Sequence, residues 1–107
     1  MDRLELFDSI KAQCGDIIEI FSYKNRDYGA DKDAFDNFRK TAQRFTEEGL
    51  TEKQGMIKAL MILQDKHLVG LSHTLGTGKE DKERFLDVAV YALLARSIMS
   101  EGETIKE

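Results

Sequence analysis

Proline is absent from this chain of 107 residues, and tryptophan with it. Without proline, only glycines, capping residues and charge are left to stop a helix. The strong helix formers Ala, Leu, Glu, Lys and Met recur throughout, and the two facts together predict an all-α fold. Cysteine occurs once, at Cys14, so no internal disulfide can form. Its neighbours at helical spacing, Ile10, Ile17, Ile18 and Phe21, predict a buried thiol in a reducing compartment. The two histidines, His67 and His73, are six apart and point in different directions on a helix, which disfavours zinc. No apolar run approaches the roughly 18 residues of a membrane span. The acidic start MDRLELFD lacks the basic character of a signal peptide. A cytoplasmic protein without a membrane partner is therefore expected. A basic excess is missing as well: the net charge is −4, with no Lys/Arg block among aromatics. Phosphate backbones are neutralised by basic stripes, so nucleic acid is disfavoured as a partner.

What is present, 41% apolar and 34% charged residues, is the balance of a globular chain. One domain spanning 1–107 is expected, a bundle of about four main helices, oligomeric. Helix one is predicted from about Asp2 to Tyr23, with Leu6, Ile10, Cys14, Ile17, Ile18 and Phe21 on one face. Asp2 with Glu5 reads as its capping box. Asp16 and Glu19 project away from that face into solvent. Helix two takes its cap from Asp31 or Asp33, carries Phe35, Phe38, Ala42 and Phe45, and stops at Gly49. Thr51 with Gln54 opens helix three, which runs to about Leu75 with Met56, Leu60, Leu63, His67 and Leu71 together. On that face His67 reads as a packed core residue. The loop Gly76-Thr77-Gly78-Lys79 lacks the spacing and the preceding strand of a phosphate loop. It reads instead as a helix stop at Gly76 and a capping box of Thr77 with Glu80.

Two stretches ask for more than packing. Lys24 to Arg39, KNRDYGADKDAFDNFR, crowds Asp27, Asp31, Asp33 and Asp36 around a Tyr28-Gly29 step. A charged turn accepts such density, and so does a site for a divalent cation. Helix four, about Lys79 to Ser100, is apolar on nearly every side, which predicts burial in the core or at a subunit interface. Phe85, Ala89, Ala92 and Leu93 form one face, with Tyr91 and Ile98 behind. Asp87 lies on the side of Tyr91, Leu94 and Ile98, and a carboxylate there is costly unless paired or bound to a metal. Glu83 stands one turn earlier, close enough for the two charges to repel. A cation relieves that repulsion; so does a lysine or arginine from a neighbouring helix. Magnesium prefers oxygen ligands and needs only one or two carboxylates besides a substrate's phosphates. Asp87, Glu83 and either Asp36 or Asp27 supply them on this reading, while Lys24, Lys66 or Arg39 neutralises phosphate.

In order along the chain, KNRDYG, DNFR, a mid-chain DK and E-x-x-x-D-x-x-x-Y resemble the small, mostly phage-borne nucleotide-modification-associated domain. That family looks like a relative of the all-α nucleoside triphosphate pyrophosphohydrolases, the group of MazG and dimeric dUTPase. The resemblance covers about three-quarters of the chain. It implies a helical bundle in which carboxylates of different helices hold Mg²⁺, or Mn²⁺ in its place, on the phosphates of a nucleotide or deoxynucleotide. Water then attacks the α-phosphorus and pyrophosphate leaves. Lys24, Asp27 and Tyr28 fall on the Lys-x-x-Asp-Tyr-Gly positions, and Asn37 with Phe38 on the Asn-Phe pair. Asp65 and Lys66 match the Asp-Lys pair; Glu83 and Asp87 match the acid pair of the last helix, followed by Tyr91. The chain departs from the pattern at Val90, where a polar residue is common. It departs again at Asp16-x-x-Glu19, the only counterpart of a Glu-x-x-Glu pair. Two other readings stay open: a non-catalytic nucleotide-binding module, and a small phage protein that binds a host partner through an oligomeric helical surface.

Overall fold

The computed structural model describes residues 1–27 and 35–101, except for the side chains of residues 23–27. The order is α1 (Arg3–Asp27), α2 (Asp36–Ala42), a 3₁₀ segment (Gln43–Glu48), α3 (Glu52–Thr74) and α4 (Asp81–Ser100). No strand occurs among the described residues, so the all-α expectation holds. The chain divides into two units, residues 1–34 and 35–107, and each is taken by itself.

The first unit is α1. Its start is capped as the sequence predicts: Asp2 Oδ1 accepts from the Glu5 amide at 2.8 Å, and Glu5 Oε2 accepts from the Asp2 amide at 3.1 Å. The helix continues to Asp27, a turn beyond the predicted end. On its predicted apolar face Ile17 is buried and Phe21 partly so, while Leu6, Ile10 and Ile18 are exposed, with Leu4 and Phe7 exposed beside them. Cys14 is exposed too, which corrects the expected buried thiol. Helical spacing shows that a face exists; it does not show that anything covers it.

The second unit has a small dry core of Ala42, Met56, Leu60 and Ile98, with Phe35, Phe38, Ile57, Tyr91, Leu94 and Ala95 packed around it. Its helix α2 starts at Asp36 with Phe35 as N-cap and no side-chain cap. The expected caps, Asp31 and Asp33, lie outside the described residues. Gly49 ends the 3₁₀ segment at φ 78°, a left-handed value that glycine takes without penalty. The Thr51–Gln54 capping box is present in both directions, at 2.9 and 3.2 Å. Close approach of α2 to α3 depends on Gly55: a Cβ there would stand 2.9 Å from the Ala42 Cβ and 3.1 Å from its carbonyl oxygen.

The α3–α4 turn departs from its expected design. Leu75, at φ 49°, and Gly76, at φ 92°, both take the left-handed conformation. Thr77 and Glu80 do not form the predicted capping box; the Thr77 hydroxyl donates to the Thr74 carbonyl at 2.6 Å instead. The residue that organises the turn is Asp81, buried to 4% exposure. Its carboxylate accepts from the Thr74 hydroxyl at 2.8 Å, the Gly76 amide at 2.8 Å and the Gly78 amide at 3.1 Å. The Thr74 hydroxyl bond and the two amides, with Arg84 nearby, hold this carboxyl below its ordinary pKa although burial opposes them.

Helix α4 is not buried on every side, although its composition predicts that it would be. Tyr91, Leu94, Ala95 and Ile98 face the core, while Phe85, Leu93 and Met99 are exposed. A uniformly apolar helix gives no phase from which its inner side can be read.

Candidate functional site

The acidic pair of α4 stands on the stretch that leaves the dry core toward the turn. At 1.5 Å per residue, Asp87 lies about 16 Å along the helix from Ile98. Its side chain is 49% exposed, so the expectation of a costly buried carboxylate does not hold. Water solvates one side of it. Glu83, one turn earlier, is exposed.

Across from Asp87 on α3 is His67, whose Nε2 lies 3.8 Å from Asp87 Oδ2. The same imidazole packs against Tyr91, with ring centroids 5.7 Å apart and planes tilted by 32°. His67 Nδ1 is buried and, among the described residues, has no hydrogen-bond partner. A carboxylate oxygen can only accept, so the tautomer that suits this arrangement carries its proton on Nε2, toward Asp87. Removal from water raises the Tyr91 phenol above its ordinary pKa, and the negative charge of Asp87 adds to the effect. One turn before His67, Gln64 Nε2 donates to the Val88 carbonyl at 3.2 Å and ties α3 to α4 just behind Asp87. Sequence reasoning placed His67, Asp87 and Tyr91 on core-facing sides but did not pair them. The register of α3 against α4 is set by the turn, and no local signal carries it.

The other predicted site residues are dispersed. Arg39, expected to neutralise phosphate, is instead committed to the fold. Its guanidinium meets Glu52 Oε1 at 2.7 Å, pairs with Glu101, and lies 3.9 Å from Met56 Sδ. Asp36 pairs with Lys40 at 2.9 Å on the surface of α2. Asn37 is exposed, and its carbonyl accepts from the Thr41 hydroxyl at 2.9 Å. Phe38 packs on the core. Asp65 and Lys66 are exposed on α3. Lys24 and Asp27 belong to the last turns of α1, but their side chains, like all of Tyr28, lie outside the described residues.

No three His, Cys, Asp or Glu side chains among the described residues stand close enough to share a metal ion, so Asp36, Glu83 and Asp87 do not make such a group. The donor chemistry still fits a hard cation of one kind. Glu83 and Asp87 are accessible oxygen donors a turn apart, and magnesium takes its remaining ligands from water and substrate phosphate. Two such donors leave most of a cation's coordination sphere to other ligands. No helix of the described residues is long and apolar enough to cross a membrane. No family model, curated protein or solved structure matches the chain.

Proposed function

We propose that the chain is a magnesium-dependent pyrophosphohydrolase-like protein acting on a nucleoside or deoxynucleoside triphosphate, of the phage-type nucleotide-modification-associated kind, working as a homo-oligomer. The observation that carries the reading is the accessible Glu83–Asp87 pair at the end of an ordered series of motifs, with His67 beside Asp87. A bound Mg²⁺ would neutralise phosphate charge there and acidify a water molecule. Asp87 is the ligand on this reading. Glu83, free of burial and a turn away, accepts the proton of the attacking water. The water oxygen then bonds to the α-phosphorus, the α–β phosphoanhydride bond breaks, and its electron pair leaves with pyrophosphate. Lys66 on α3 is the phosphate-binding cation, since Arg39 is held elsewhere. The substrate-side roles of Lys24, Asp27, Tyr28 and Asn37 rest on the resemblance alone, and Asp36, paired with Lys40 on α2, does not join the Glu83–Asp87 pair.

One specific observation favours the second reading, a nucleotide-binding module without turnover: the described residues provide no third ligand near Asp87. The experiment is a panel of NTPs and dNTPs with Mg²⁺ or Mn²⁺, assayed in parallel for pyrophosphate release and for nucleotide binding by calorimetry. Release that disappears in Asp87→Asn supports the hydrolase. Binding without release supports the module. Neither binding nor release removes the nucleotide from the account.

The same variant separates a ligand from a structural carboxylate. If Asp87 repels Glu83 in the metal-free protein, Asp87→Asn holds or raises the melting temperature in EDTA. If Asp87 is instead a partner the fold needs, the melting temperature falls. At 49% exposure the first outcome is expected.

A further inference from the structure

We propose that the outer face of α4 is a contact surface for a second copy of this chain, laid antiparallel across it. This extends the homo-oligomer part of the reading above and is independent of the nucleotide chemistry. Opposite the core residues Tyr91, Leu94 and Ile98, α4 presents Phe85, Ala89, Ala92 and Arg96 at steps of four, three and four. At 100° per residue they occupy a stripe about 60° wide. All four are exposed, Phe85 by 56%, and Leu93 and Met99 flank them at 42% and 64%. A ring and two alanines on the side of a helix that faces away from the core are not needed by the fold.

The order of residues along the stripe identifies its occupant. It is bulky and aromatic at one end, small in the middle and cationic at the other. A second copy running antiparallel, centred between Ala89 and Ala92, brings each Ala89 against the partner's Ala92, so the helix axes can approach closely. It also sets each Phe85 against the partner's Arg96, a guanidinium on an aromatic face, and does so twice by symmetry. Lys82, near the start of the same face, then meets the C-terminal end of the other helix, where the backbone carbonyls favour a cation. A parallel copy would stack Arg96 on Arg96 and Lys82 on Lys82. The pattern is therefore complementary to itself in one orientation.

The test is the mass of the full chain by light scattering at micromolar concentration, with circular dichroism to monitor folding. Wild type is expected at twice the 12.2 kDa of one chain. Ala89→Glu, which puts a charge at the centre, is expected to return it to a single chain with its helicity retained. Phe85→Lys, which opposes Arg96, is expected to weaken association by roughly tenfold or more. Combining Phe85→Lys with Arg96→Glu restores it. A monomeric wild type overturns both this assignment and the oligomer. An oligomer indifferent to Ala89→Glu and Phe85→Lys overturns the surface and leaves the oligomer standing. A monomer in which Ala89→Glu only lowers the melting temperature means that the face is used within one chain, and the proposal fails. If Ala89→Glu does not fold, the Phe85 and Arg96 variants decide alone: loss without rescue by the double variant rejects the antiparallel pairing.

Discussion

The two ends of the α3–α4 pair are held by different physics. At one end Met56, Leu60 and Ile98 lose essentially all contact with water, and Ala42 of α2 closes the layer. There burial supplies the stability. The rim is stapled by charge, with Arg39 reaching Glu52 and Glu101, and Lys53 Nζ donating to the Glu101 carbonyl at 2.8 Å. At the other end Leu71 is the buried aliphatic residue of α3, and the turn is gathered by the Asp81 carboxylate. Between the two lies the His67–Asp87–Tyr91 group, half-wet and not fully hydrogen-bonded. The dry end specifies the fold and leaves little room for chemistry. In the polar stretch one imidazole nitrogen is, among the described residues, without a partner beside a half-exposed carboxylate.

Truncating the dry end should produce the largest effect. Leu60→Ala is expected to cost about 2–5 kcal/mol, from lost burial and the cavity left behind. Chemical denaturation measures it, and a change under 1 kcal/mol would mean that the core is not where the stability resides. Gly55→Ala comes next, because the added methyl meets the Ala42 backbone rather than a flexible side-chain end. About 1–3 kcal/mol is expected; a neutral result would show that α2 can move away freely. Removing the α3 cap with Thr51→Ala should cost about 1 kcal/mol, read as a shift in denaturation midpoint at unchanged slope.

The turn end offers an effect that is distinctive in acid. Folding lowers the Asp81 pKa, so its contribution is fully present above the unfolded value, near 3.9, and is lost as pH falls through the folded value. Wild type should therefore lose stability below about pH 4 more steeply than Asp81→Asn, which cannot titrate there. Parallel slopes in acid would remove Asp81 from its organising role. Leu60→Ala, by contrast, should lower the whole pH curve without changing its shape.

The fold class and the limits of α3 were legible because their signals are local. Thr51 and Gln54 are three residues apart, and a chain without proline has few ways to leave a helix. The inner side of α4 was not legible, since residues apolar at every angle provide no phase. The turn was misread for a related reason: Thr77 and Glu80 fit the spacing of a capping box, but Asp81 makes three bonds where that box would make two. Of the site, the Glu83–Asp87 pair could be found as a one-turn spacing, whereas His67 is twenty residues from Asp87 and meets it only through the register of two helices. Arg39 misled because an isolated guanidinium near acids looks the same whether it awaits phosphate or pairs with Glu101, sixty-two residues away.

That long reach bears on how the chain is made. Ile98 is one of the most deeply buried residues of the core, yet the stretch carrying Ala42, Met56 and Leu60 is synthesised long before it. At roughly 5–20 residues per second, the growing chain exposes Met56 and Leu60 for several seconds while residues up to 98 are added and clear the ribosome. During that interval α2 and α3 can form and touch, but the layer that excludes water cannot close. Nascent chains carrying a C-terminal linker, stalled just before and just after Ile98 emerges, should differ sharply in protease resistance.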